Sequence, residues 1–166
     1  MSSQPIKVDG IGTRKSGTTD LSSTAAELAN NADPAKFVRL FASTTLAKGD
    51  AVCIDFTVST YGLGNNVTKA DVDASATKQA IGIAAEAVTI TGTDYQLVNI
   101  QVQGLCTFAV LDDTSDNPGD LLAAGSDPAG SLTLDVVAAL PVAILVTEGT
   151  ANTADSTVYL INPANL

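Results

Sequence analysis

The chain has no histidine and no tryptophan, one methionine and two cysteines among its 166 residues. General acid–base work near neutral pH falls most often to histidine, whose unperturbed pKa is about 6.5. Serine-type triads, Cys-His dyads and histidine-rich zinc sites are therefore excluded, leaving carboxylate, lysine or tyrosine chemistry. No apolar run approaches the roughly 20 residues a membrane-spanning helix needs. The start, Met1-Ser2-Ser3-Gln4-Pro5-Ile6-Lys7, lacks the basic and apolar regions of a secretory signal. A protein made in a cytoplasm is expected, reaching any exterior by assembly or lysis. Composition alone points to a scaffold or binding protein.

Basic residues are also missing from half of the chain. Residues 1–78 hold all eight Lys and Arg together with eight acids, whereas residues 79–166 hold ten acids and no base, which accounts for the net charge of −10. A half without Lys or Arg cannot pair with phosphates, so nucleic-acid binding through it is excluded. An acidic surface keeps an abundant protein soluble. A sharper reading is polarity, with the acidic half facing outward and the N-terminal half facing a partner.

What is present suffices for one core. Hydrophobic residues make up 45% of the chain, and a chain of this length buries about 70% of its unfolded surface. Residues 1–35 are rich in Ser, Thr, Gly, Ala and Asn, with only Ile6, Val8, Ile11, Leu21 and Leu28 as large apolar groups. This stretch reads as a flexible arm. Within it Thr24-Ala25-Ala26-Glu27 has capping-box spacing, which predicts a short helix over 24–31.

Residues 36–166 read as one β-rich domain of short β-branched or aromatic runs between Gly, Asn, Asp and Pro. Strands are expected over 37–41, 51–57, 80–84, 131–134, 142–146 and 157–161, with a hairpin loop at 61–66. In the strand 51–57, Val52, Ile54 and Phe56 share one face. Val98-Asn99-Ile100-Gln101-Val102-Gln103 alternates apolar with amide residues, as a half-buried antiparallel strand does. After Gly104, residues 105–111 are apolar on both faces, which predicts a central strand or one covered by another chain. Strands at this spacing favour an all-β sandwich or barrel. Lys48-Gly49-Asp50-Ala51-Val52 and Pro118-Gly119-Asp120-Leu121-Leu122 each put a Gly-Asp turn before an apolar strand, and each is followed by a further apolar strand, at 80–84 and 143–145. The echo suggests two halves of related layout.

The densest polar cluster is Asp112-Asp113-Thr114-Ser115-Asp116-Asn117-Pro118-Gly119-Asp120. It departs from the EF-hand template: counting from Asp112, the sixth position is Asn117 rather than Gly and the twelfth is Ala123 rather than Glu. A surface turn is the favoured reading over an irregular calcium loop. A glycosidase acid–base pair would also need aromatic or basic groups to hold sugar, and aromatics are 4% of the chain. Cys53 and Cys106 lie within apolar runs and are expected to be buried free thiols. Gly62-x-Gly64 has Val67 where a nucleotide loop needs its third Gly. Asn66-Val67-Thr68 matches a glycosylation sequon, without a secretory route to use it. No cofactor or metal is expected. In the arm, Ile6, Lys7, Val8, Ile11, Arg14, Lys15 and Leu21 are the groups that could anchor on an acidic partner.

A resemblance joins these readings. Ala80-Ile81-Gly82-Ile83-Ala84-Ala85-Glu86-Ala87, the turn Thr91-Gly92-Thr93, the alternating strand ending Val102-Gln103-Gly104, and Leu105-Cys106-Thr107-Phe108 resemble the lambda-type head decoration, or capsid cement, proteins of tailed bacteriophages. Gly49-Asp50-Ala51-Val52 is similar to the turn and strand that open such domains. The resemblance covers about residues 46–111. It implies a mainly antiparallel, β-tulip-like barrel or sandwich with an extended N-terminal arm and at most one or two short helices. It further implies a non-enzymatic protein on the virion exterior, bound to the major capsid protein as a homotrimer at three-fold or quasi-three-fold sites, without nucleic-acid or membrane contact. In that family a Ser/Thr/Gly-rich arm becomes ordered only on the shell, and residues 1–35 fit that role by composition. The alternative is a carbohydrate- or receptor-binding surface module of a phage or bacterium.

Overall fold

A computed structural model describes residues 35–72, 77–112, 117–134 and 140–161. The chain divides into Met1–Pro34, which holds the arm and the expected helix at 24–31 and lies outside the described residues, and Ala35–Leu166. The second unit is all-β, with no helix among the described residues. Its strands are β1 (Lys36–Ala42), β2 (Ala51–Ile54), β3 (Asn66–Lys69), β4 (Asp71–Val72), β5 (Thr77–Lys78), β6 (Gly82–Ala84), β7 (Gln96–Val110), β8 (Leu121–Ser126), β9 (Ala129–Leu134), β10 (Ala143–Thr147) and β11 (Ala154–Leu160).

Nine of these strands form one mixed sheet in the order β1-β3-β2-β6-β7-β11-β10-β8-β9, and β1 also pairs with β7. That extra pairing closes β1-β3-β2-β6-β7 into a five-stranded barrel. The β1–β3 pair is parallel, through Ala42 and Val67, while the other neighbours in this ring are antiparallel. A second ring follows the same plan. Leu111 bridges Leu132 in parallel fashion and the Asp112 N–H donates to the Leu132 carbonyl at 3.0 Å, joining the end of β7 to β9 and closing β7-β9-β8-β10-β11. Closure of both rings pairs strands that would otherwise be bare sheet edges.

The echo seen in the sequence is thus a duplication at the level of hydrogen-bond register. Val52 opposes Lys69 and Cys53 opposes Thr68 in the first barrel, as Leu122 opposes Leu134 and Ala123 opposes Thr133 in the second. Ala51 opposes Ile83 as Leu121 opposes Ile144, and Ile83 opposes Gln101 as Ile144 opposes Tyr159. Strand β7 serves twice: residues 96–103 end the first barrel and residues 104–110 begin the second, with Gly104 (φ +88) at the joint.

Inward-facing positions match as well. Ala42, Val52, Val67, Ala84 and Ile100 belong to the core of the first barrel, and Leu111, Leu122, Leu132, Leu145 and Val158 take the same places in the second, all buried. The first barrel makes up the missing volume with Leu40, Ile54, Ile81 and Val102 packed against its core. Ala51, Cys53 and Ile83 on the outward side of the first barrel, together with Ala70 and Val72 just beyond β3, join the second cluster, so the two barrels share one apolar seam.

Three expectations need correction. Residues 98–103 and 105–111 form a single 15-residue strand with Leu111 as its bridge, because each half has its own ring to complete. Much of the amide face of that strand is not solvated: Gln101 is 1% exposed and Gln103 is 8% exposed, while Asn99 is half-buried, since this outward face of the first barrel is covered towards the seam. The strand beginning at Ala51 ends at Ile54 rather than Thr57, and Phe56 is 71% exposed. Asp55 turns the chain outward, accepting the Thr57 N–H at 2.9 Å and the Ser43 hydroxyl at 2.6 Å.

Candidate functional site

The arm residues Ile6, Lys7, Val8, Ile11, Arg14, Lys15 and Leu21 lie outside the described residues. Of the acidic loop, residues 113–116 lie outside them as well. Its described end is a turn. Asp120 Oδ2 accepts the Asn117 N–H at 2.7 Å, and the Asp120 N–H donates to the Asn117 carbonyl at 3.0 Å. The carboxylate is therefore used to shape the corner ahead of β8. Among the described residues no group of three or more Cys, Asp or Glu side chains is placed to hold a metal ion.

Neither cysteine is in a disulfide, and both are buried. Burial pushes the Cys106 thiol up from 9.0 to about 11, against smaller downward pulls from the Phe108 backbone and Lys48. A thiol so placed is a small apolar filler rather than a nucleophile.

A shallow crevice of about 400 Å³ follows the seam and is lined by Ala47, Lys48, Asp50, Lys69, Gly130 and Asn152 among others. Its charged centre is Asp50, 5% exposed, which accepts from Lys69 Nζ at 3.0 Å and from the Ala47 N–H at 2.8 Å. Nearby, Lys48 Nζ stands 4.8 Å above the Phe108 ring. The Asp50–Lys69 pair lies within the first barrel, close against Gly130 of the β8–β9 corner, and it is Lys48 over Phe108 that reaches from the first barrel to the second. The Val110 N–H completes the contact by donating to the Gly49 carbonyl at 3.2 Å.

The surface features with chemistry to offer a partner are apolar. Along β1 the outward side chains are Phe37, Arg39 and Phe41, opposite Gln101, Asn99 and Leu97 on β7. Phe37 is 52% exposed, and Lys36 and Arg39 are exposed beside it. Phe41 stacks on Tyr61 with ring centroids 3.8 Å apart, and Tyr95 meets Tyr61 edge-on at 6.2 Å. Five of the seven aromatic residues therefore belong to β1, the β2–β3 loop and the approach to β7.

On the second barrel a row of four residues crosses four strands in register: Leu121, Ile144, Tyr159 and Leu105. Leu121 is 43% and Leu105 45% exposed, and Ile144 and Tyr159 are half-buried. Of the row, only Leu105 lies in a stretch whose two-sided apolar pattern pointed to cover by another strand or chain, and the β1 surface gave no such signal. Alternation marks which residues share a face of one strand, while only register across strands shows that these four lie side by side.

No known protein-family model matches the chain, and no curated protein matches it.

Proposed function

We propose that this is a non-enzymatic structural protein that binds the outer surface of an expanded phage capsid and stabilises it by bridging neighbouring major capsid protein subunits. What supports the reading is that the residues of the decoration-protein resemblance fall on one structural unit. Ala80–Ala87 contains β6, and Val98–Phe108 lies within β7, the strand against which β6 pairs through Ile83–Gln101 and Ala84–Ile100. Gly49-Asp50 adds the corner that opens β2, whose Ala51 opposes Ile83 in the same barrel.

The physical task suits such a body. A shell under outward pressure is strengthened by clamps between subunits, and many weak identical contacts add through multivalency. An acidic surface keeps decorated particles apart. In this reading the protein is made in the host cytoplasm, sits on the capsid exterior as a homotrimer at three-fold or quasi-three-fold sites, and docks through residues 1–35, with Ile6, Lys7, Val8, Ile11, Arg14, Lys15 and Leu21 as contacts.

Co-sedimentation of the purified protein with expanded heads and with unexpanded procapsids tests it. Saturable binding to expanded heads alone, at a fixed ratio to shell protein, is expected. Binding to neither particle would overturn the reading in favour of a glycan- or receptor-binding module. Deletion of residues 1–35 is expected to leave a folded body with weakened head binding.

A further inference from the structure

We propose that the apolar row of the second barrel is a docking surface for a second copy of this chain, and that it receives the cationic, aromatic start of β1. The duplication supplies the reason. In the first barrel the corresponding row is Ala51, Ile83, Gln101 and Phe37, joined by the same cross-strand register. Its first three members are 0%, 0% and 1% exposed because the second barrel covers them, β2 packing on β9 and β4 on β8 and β9. At the matching positions of the second barrel Leu121 is 43% exposed and Ile144 and Tyr159 are half-buried, with Leu in place of Ala51 and Tyr in place of Gln101. Val146, two residues beyond Ile144 on the same strand, extends the surface and is 42% exposed. A surface-wide strip of this kind marks an interaction site when it is contiguous, as register makes it here.

Charge selects the occupant. No Lys or Arg follows position 78, so the second barrel contributes only acids, and in the chain Asp120 directly precedes Leu121 and Glu148 follows Val146 by two residues. Two copies meeting row to row would bring two uncompensated acidic barrels together. A partner with an apolar centre and a cationic rim is favoured instead. The start of β1 has that composition: Phe37 is 52% exposed on the outward face, with exposed Arg39 on the same face and exposed Lys36 just before it. Among the described residues neither cation has a carboxylate partner. Phe37 is itself the one member of the first barrel's row that the second barrel leaves uncovered.

The contact needs no shell and is tested on the free, full-length protein, so its failure leaves head binding to be judged separately. Phe37→Cys and Leu121→Cys single variants are mixed and oxidised; the native thiols are buried and do not compete. A covalent dimer that forms in the mixture and in neither variant alone is expected. In sedimentation velocity, Arg39→Glu and Leu121→Asp are each expected to weaken self-association by about tenfold or more, with the circular dichroism spectrum unchanged. A wild-type protein that stays monomeric up to millimolar concentration would overturn the proposal. So would cross-linking of the Leu121→Cys variant with itself as readily as with the Phe37→Cys variant.

Discussion

Asp50 and Asp120 hold the same place in the two barrels: through Oδ2, each accepts the backbone N–H three residues before it, from Ala47 at 2.8 Å and from Asn117 at 2.7 Å. The hydrogen bonds around them repeat as well. Gly49 N–H donates to the Ala84 carbonyl and Gly119 N–H to the Leu145 carbonyl, both at 2.8 Å, and the carbonyls of Asp50 and Asp120 accept from Ala84 and Leu145 at 2.8 and 2.9 Å. The two corners differ in what lies beyond them. Among the described residues only Asp50 meets a cation, Lys69, and only the Gly49-Asp50 corner is packed into the seam.

Asp120→Ala removes one hydrogen bond to a charged acceptor, and a loss of about 1–2 kcal/mol in urea unfolding is expected. Asp50→Ala removes the same bond and also leaves Lys69 without its partner at the seam. Because Lys69 is 37% exposed, solvent screens much of that pairing. A cost about 1 kcal/mol greater than for Asp120→Ala is expected. Equal costs would mean that the ion pair contributes nothing to stability at the seam.

Gly49 and Gly119 both have φ in the left-handed region, +95° and +99°, so a side chain strains the backbone at either position. Packing separates them. A Cβ at Gly49 would run into the Phe108 carbonyl oxygen and lie 2.7 Å from Ala154 Cβ, whereas one at Gly119 meets no described residue within 4 Å. Gly119→Ala is expected to cost about 1–2 kcal/mol. Gly49→Ala should cost at least about 2 kcal/mol more, since backbone on the second barrel must shift. Denaturant midpoints of the two variants check the difference.

Apolar alternation made β1, β7, β9, β10 and β11 legible in the sequence. It missed β3, Asn66-Val67-Thr68-Lys69, in which Val67 alone faces the first core while Asn66 and Thr68 are buried polar residues on the other side. A strand buried on both faces but polar on one carries no hydrophobic signal. The duplication was visible only at its Gly-Asp corners, because inward positions need matching register and not matching residues: Ala42 stands for Leu111 and Ala84 for Leu145. Beyond the two-sided apolar run 105–111, the exposed row was invisible for a related reason. Leu105, Leu121, Ile144 and Tyr159 each look like core residues of their own strands, and the sequence does not say which row is covered.

Gln101 illustrates how a residue read as solvated becomes structural. Its Nε2 donates to the Gln103 carbonyl at 3.3 Å and to the Leu105 carbonyl at 2.9 Å, bracketing the joint at Gly104. Gln101→Leu, close in volume, deprives both carbonyls of that donor and is expected to cost about 1–3 kcal/mol. Gln101→Glu, which sets a carboxylate against the same two oxygens, should cost more at neutral pH than at pH 4, where a protonated Glu can donate one bond. Urea unfolding of both variants at the two pH values reads this out, and a Glu variant no less stable at pH 7 than the Leu variant would count against it.

The Cys106 thiol gives the protein an alkaline limit. Burial holds its pKa at about 11 against 9.0 in the unfolded chain, so between those values the unfolded state releases a proton that the folded state keeps. Stability from this residue is therefore unaffected below about pH 8 and falls as pH rises from 9 towards 11. At 1.36 kcal/mol per pH unit the full loss is about 3 kcal/mol. Cys106→Ala removes this titration, and its unfolding free energy should change less steeply than that of the wild type across the same window. A thiol reagent at pH 8 should label neither Cys106 nor Cys53 until urea opens the barrels. Labelling of Cys106 in the native protein would show that the second barrel opens without global unfolding, and the alkaline slope would then be correspondingly shallow.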